Sequence, residues 1–373
     1  MNPTQFTVAL KDNNGNLVTQ LQNKITALSW EWNRVGGCGA CRMQVKEKWD
    51  GALASSFAED YQIEIFMPSA SGTAEQWYGG YIDRVNPIAR SNDEFVNIFC
   101  LGYVNQLKRA IVENQTYTGQ EISAIAKLVA EQFVTGITDI TSAASDYEDT
   151  GFSADTLFFD ESAFEVIKKL SDIAGRREWG VRPDKSFFFL TRNDSVKHFF
   201  HITEDISTFT PQKDFNPMIT KIFLEGSSGY RQNFEVTNKI TTRERIVSNS
   251  AITTQSVGQQ FARAFLKENG IPRRSYTAQL IEQDKRLENI IPIGKVAINL
   301  KIGINLKYDV ATQLYDSGLK YDGGTESFQV DRIQYVLTDN GVNVLLNLGV
   351  TPVNIVEDLT KLNLLIEQER IKI

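Results

Sequence analysis

The sequence predicts a mainly β protein with an α+β insert and a C-terminal helix. Three observations carry this. The first hundred residues break into short apolar-alternating segments separated by Gly-, Ser- and Asn-containing turns. Apolar residues then switch to helical spacing over about residues 110–203. Strand patterns return from about Met218 and run almost to the end of the chain.

The elements follow in order. Gln5–Leu10 alternates around an apolar face and runs into the turn Asn13-Asn14-Gly15-Asn16. Ala27–Trp32, Ala40–Val45, Tyr61–Met67, Gln76–Val85 and Phe95–Leu101 continue as strands, predicting a sandwich or small barrel. Glu121–Phe133 carries Ile122, Ile125, Ala126, Val129 and Phe133 at helical spacing. Ser162–Ala174 repeats it with Phe164, Ile167, Leu170 and Ile173; Asp160 or Ser162 can cap its start, and Gly175 ends it. Glu178–Arg182 and Phe187–Thr191 read as a hairpin around a Pro-Asp-Lys-Ser turn.

Beyond the insert, Met218–Glu225 and Tyr230–Val236 read as a strand pair, and Val257–Lys267 as a helix. Ser275–Ile281, Lys295–Leu300, Gln329–Leu337 and Val342–Leu348 follow as strands. Thr338-Asp339-Asn340-Gly341 is a strong hairpin signal, and the polar segment Asp309–Thr325 reads as a long loop. The expected organisation is a first β unit at 1–109, an α+β insertion at 110–203, a second β unit at 204–353 with its helix near 257–267, and a helix over 354–373.

Composition narrows the function. Charged residues make up 23% of the chain, which argues against disorder, and 42% are apolar, enough for a sizeable core. The formal net charge of −7 disfavours tight nucleic-acid binding, which needs clustered Lys and Arg. The N-terminus has no basic region followed by an apolar run, so no signal peptide is expected, and no stretch suits a membrane span. No P-loop, HExxH, GxSxG or GxGxxG pattern is present.

One stretch invites a chemical reading: "RVGGCGACRMQV", from Arg34 to Val45. A plant-type ferredoxin loop needs C-x4-C-x2-C and a distant fourth cysteine. Cys38 and Cys41 supply the last two positions of the run, but the first falls on Asn33 and Cys100 is the one cysteine left. Three thiolates leave a four-thiolate site short. Cys38, Cys41 and Cys100 remain candidate ligands for zinc or a cluster with one foreign ligand, since zinc accepts Cys3His. The alternative is that they are small buried apolar side chains beside glycines 36, 37 and 39, which suit a turn or bulge. His198 and His201 are three apart, so a strand puts them on opposite faces, and they read as a strand end.

At the C-terminus Ile355, Leu359, Leu362 and Ile366 recur at spacings of four, three and four, the seam of a packing helix. They are candidate docking residues, with folding back onto the helix's own β unit as the alternative.

Three stretches together resemble a known family. They are "WYGGYIDRVNP" followed by "NIFCLGYVNQLKRAIVE"; the helix "SVGQQFARAFLKENG"; and "IPIGKVAINL" leading to "FQVDRIQYVLTDNGVNVLLNLGVTP". Their succession resembles the tail-hub (baseplate-hub) proteins of bacteriophages. The resemblance implies two similar antiparallel β-barrel, tail-tube-like domains flanking an α/β domain. It implies a non-enzymatic virion protein at the tail tip or baseplate, made in the host cytoplasm. It also implies a homotrimer whose six barrels continue the tail tube and adapt six-fold to three-fold symmetry, with DNA passing through unbound. Implied partners are a tail tube or distal tail protein above, a tail-tip, spike or fibre protein below, and the tape measure protein. A metal- or iron–sulfur-binding redox protein using Cys38, Cys41 and Cys100 is the alternative of another class. The hub of a phage-related contractile injection system is the alternative within the same fold.

Overall fold

The structure is a computed structural model. It describes residues 6–48, 56–58, 60–68, 74–90, 93–133, 143, 146–153, 156–175, 177–191, 196–202, 205–214, 218–227, 229–236, 242–249, 252, 254–270, 273–281, 295–299, 308–309, 314–315, 325–338 and 341–349.

The first β region comprises β1 (Thr7–Lys11), β2 (Leu17–Gln20), β3 (Ile25–Asn33), β4 (Gly36–Lys46), β5 (Gln62–Pro68), β6 (Ala74–Arg90) and β7 (Asp93–Gly102). The insert follows with β8 (Ile111–Thr118), α1 (Ile122–Gln132), β9 (Thr156–Ser162), α2 (Ala163–Ile173), β10 (Glu178–Val181) and β11 (Phe187–Leu190). Then come β12 (Val196–His201), β13 (Ile206–Asp214), β14 (Lys221–Glu225), β15 (Arg231–Glu235), β16 (Glu244–Ser248) and α3 (Gln255–Asn269). The described chain ends with β17 (Arg273–Leu280), β18 (Lys295–Asn299), β19 (Tyr308–Asp309), β20 (Leu314–Tyr315), β21 (Thr325–Thr338) and β22 (Gly341–Gly349).

The protein is mainly β, as the alternating segments predict. The two β regions are parts of one sheet. Its order is β13-β17-β22-β21-β3-β4-β7-β6-β5-β1-β2, with β18 and β12 branching from β21, and β10 and β11 branching from β4. The join is the antiparallel pairing of β3 with β21, from Leu28↔Leu337 to Asn33↔Arg332. Trp30 and Tyr335 face each other in that register, and their rings stack at 5.2 Å. Trp77 of β6 leans on the same Tyr335 ring, also at 5.2 Å. Aromatic pairs of this kind add to the hydrophobic gain of the buried area itself. One core therefore runs through both regions, from Val8 and Met43 to Ile333 and Leu346.

A second core belongs to the insert. Ser162 caps α2 by accepting from the Glu165 N–H, and Gly175 follows the helix at φ +85°, as its sequence position predicts. The cap of α1 is Glu121, a residue type outside the usual set; its carboxylate accepts from the Ala124 N–H at 2.9 Å. The inward faces of α1 and α2 meet Trp179 of β10 and the ribbon β8–β9. Ile222, Leu224, Ile252, Val257, Phe261 and Leu266 pack into this same core. They lie within the range expected as the second β unit, so their sequence position did not reveal their packing. The physical reason is that β14, β15 and β16 form their own three-stranded sheet, which α3 covers.

Other expectations need correction. The segment expected as a long loop at Asp309–Thr325 contains, in its described part, the short pair β19–β20. β2, β8, β9, β13 and β16 had no counterpart in the sequence reading. His198 and His201 do sit at a strand end, His201 being the last residue of β12, and both are buried there.

Candidate functional site

The glycine-rich stretch opens β4, and its register explains the glycines. Cys41 lies opposite Trp30 and Cys38 opposite Trp32, so three steps on β4 match two on β3. That is a β-bulge, placed where the glycine cluster predicts one. Gly36 and Gly37 have φ of +103° and +78°. β10 of the insert runs parallel to this opening turn, pairing Gly180 with Gly36 and Val181 with Gly37. A Cβ on Gly37 would sit 2.1 Å from the Val181 carbonyl oxygen, and one on Gly180 2.4 Å from the Gly36 carbonyl carbon. The glycines let two backbones meet without side chains between them. The stretch is thus a docking edge on which the insert adds to the main sheet.

The three cysteines are free, buried thiols. Cys41 and Cys100 face each other across β4 and β7, and Cys38 lies beyond the bulge. Burial pushes the Cys38 thiol up to about 12 and the Cys100 thiol well above its usual range; the neighbouring Cys41 raises Cys100 further. Among the described residues no group of three or more His, Cys, Asp or Glu side chains is placed to hold a metal ion. Cys38, Cys41 and Cys100 are part of the apolar core.

Beside the glycine edge lies a charged cluster that the sequence reading missed. Arg34, in the turn between β3 and β4, donates from Nε to Asp331 Oδ1 at 2.9 Å. Its Nη1 is 3.8 Å from Glu178 Oε1. Its backbone N–H donates to the Asp331 carbonyl at 2.9 Å. The side chains of Arg34, Glu178 and Asp331 are only 9%, 6% and 3% exposed. Asp331 is the residue passed over where the β21–β22 register shifts between Val330 and Arg332, and that irregularity re-aims it. Next to it Arg332 reaches Glu31 at 3.5 Å, and Glu31 accepts from the Ala40 N–H at 3.0 Å. Glu178 lies 144 positions and Asp331 297 positions from Arg34 in the sequence, so no local pattern could announce the cluster.

Among the described residues the main path of the sheet ends in β2 and β13, each paired on one side, and its branches end in β11 and β12. Leu17 and Val18 on β2 are 57% and 40% exposed. Such an edge is a template for strand addition. The predicted docking residues Ile355, Leu359, Leu362 and Ile366 lie outside the described residues.

No family model and no curated protein matches the chain. Solved structures do. The chain is similar to the 43 kDa tail protein of prophage MuSo2 from Shewanella oneidensis, with TM-score 0.63 and 13% identity, over 92% of this chain and 97% of that one. It is similar to prophage tail protein gp18 from Listeria monocytogenes EGD-e, with TM-score 0.55 and 12% identity, over 97% and 99%. It is also similar to the E. coli c3393 protein, a component of the type VI secretion system, with TM-score 0.51 and 9% identity, over 89% and 77%. The chain has the fold of phage tail proteins along nearly its whole length.

Proposed function

We propose that the chain is a structural tail-hub protein, acting as a homotrimeric ring that continues the tail tube at the tail tip or baseplate of a virion. The observation that carries this is the continuous sheet through both β regions, on a fold shared with phage tail proteins. A strand-rich wall of this kind is what a tube needs. The strands that end its main path, β2 and β13, supply complementary surfaces for a neighbouring copy in a head-to-tail ring. Two β regions in each of three copies give six wall sectors, the match between a six-fold tube and a three-fold tip. A net charge of −7 suits a channel that lets DNA pass without holding its phosphates. Tail tube or distal tail protein above, tail-tip, spike or fibre protein below, and the tape measure are the partners this placement implies. The role is mechanical rather than catalytic.

The test is light scattering at micromolar concentration on the natural chain and on Val18→Lys. The natural chain should have three times the 42.0 kDa chain mass. A lysine on the β2 edge should shift the balance towards single chains. A natural chain that stays monomeric with the adjacent tail proteins added would overturn the proposal.

The likeness to the c3393 protein favours a second reading, the hub of a contractile injection system. Both readings share the ring; the genes flanking this one, for head and packaging proteins or for effectors, separate them.

A further inference from the structure

We propose that the Arg34 cluster is a mechanical coupling, through which the docking of the insert and the join between the two β regions are sensed by each other. Three structural parts meet at one side chain. Arg34 belongs to the β3–β4 turn, Glu178 is the first residue of β10 in the insert, and Asp331 lies on β21. Asp331 marks the point where β21 changes partners. Residues 325–329 pair with β18, and residues 332–337 pair with β3. Glu178 likewise stands next to the Gly180↔Gly36 pairing that docks the insert.

One guanidinium faces two carboxylates in a nearly dry site. Asp331 accepts a directed hydrogen bond from the fork, while Glu178 Oε1, 3.8 Å away, acts on the same charge without a hydrogen bond, so the guanidinium's position balances the two. Withdrawing Glu178 leaves the guanidinium to Asp331 alone, and withdrawing Asp331 leaves it to Glu178. Either event changes the charge balance felt by the other partner, which low local dielectric makes strong. The Arg34 backbone N–H to the Asp331 carbonyl ties this balance to the main chain of the join. A displacement of the insert, as when another protein binds it, is thereby transmitted to the β3–β21 seam.

Hydrogen exchange on the full chain tests this, comparing Glu178→Gln, Asp331→Asn and, as control, Lys11→Met, which breaks the separate Lys11–Glu64 pair. Glu178→Gln should speed exchange of the Arg34 amide and of the β3–β21 amides about tenfold, well inside the cost of removing one partner of a buried ion pair. Asp331→Asn should speed the amides of β10 and of residues 36–37 by a similar factor. Lys11→Met should change neither set, and α1 and β5 should stay unchanged in both cluster variants. Acceleration confined to the mutated residue's own strand would overturn the coupling. Uniform acceleration through α1 and β5 would do the same, since it marks general loss of stability. If Asp331→Asn does not fold, Arg34→Lys keeps the charge and loses the fork; it should speed both junctions together, and speeding one alone would refute the proposal.

Discussion

Replacing Gly37 with alanine tests the docking of the insert in a way that can be worked from the backbone. The new Cβ would stand 2.1 Å from the Val181 carbonyl oxygen. An ordinary carbon–oxygen contact is about 3.3 Å, so β10 must retreat by about 1 Å. That retreat weakens the two-residue pairing of β10 with β4, at a net cost of about 1 kcal/mol per hydrogen bond lost. The φ of +78° adds about 1–2 kcal/mol, because an L side chain is strained there. Together these give about 3–4 kcal/mol of destabilisation. Gly15→Ala supplies the control: its φ is +82° and nothing lies within 4 Å of the new Cβ, so it bears the backbone strain alone, about 1–2 kcal/mol. Urea denaturation of both variants, followed by tryptophan fluorescence, reads the difference; Trp179 of β10 lies in the second core. Gly37→Ala should lose at least about 1.5 kcal/mol more than Gly15→Ala, within the range of a measurable midpoint shift. Equal losses would refute the claim that the glycine is there for close approach.

Other outcomes are equally specific. The Cys38 thiol titrates at about 12 when folded, against 9.0 for the ordinary group, so the folded chain holds a proton that the unfolded chain gives up. Its contribution is complete below pH 9 and is lost as pH rises towards 12, at about 1.4 kcal/mol per pH unit once both limits apply. Cys38→Ala should flatten the decline of the urea midpoint above pH 9, and an unchanged decline would contradict the burial argument. Duplex DNA should show no submicromolar binding in filter assays at low salt; such binding would contradict an unreactive channel. Replacing Leu359 and Leu362 with Asp should leave the melting temperature unchanged and abolish binding to the tip protein if the sequence-predicted C-terminal helix docks a partner. A lower melting temperature would show instead that it packs on its own chain.

Much of the fold was legible because its signals are local. The alternation in Phe95–Leu101 and the spacing of Ile167, Leu170 and Ile173 each fix an element without reference to the rest. The bulge in β4 was announced by its own glycines. What the sequence hid is long-range. β8 reads as "IVENQTYT", with Val112 and Tyr117 turned inward and polar residues between them, too weak an alternation to stand out. The packing of α3 with the insert depends on β14, β15 and β16 closing into a separate sheet, a choice no window of residues displays. Arg34, Glu178 and Asp331 carry no shared motif and meet only because β21 pairs with β3 and β10 docks on β4. The cysteines show the limit of spacing as a guide: that of Cys38 and Cys41 suggests ligation as readily as burial, and their place in the core appears only once β4 and β7 are paired.

The most direct measurement of the central claim is electron microscopy of the purified chain, viewed along its symmetry axis. The images should show a closed ring of three copies around an open channel, with six near-equivalent wall sectors and strands running continuously from copy to copy. Single chains, two-fold dimers or open filaments in place of that ring would contradict it.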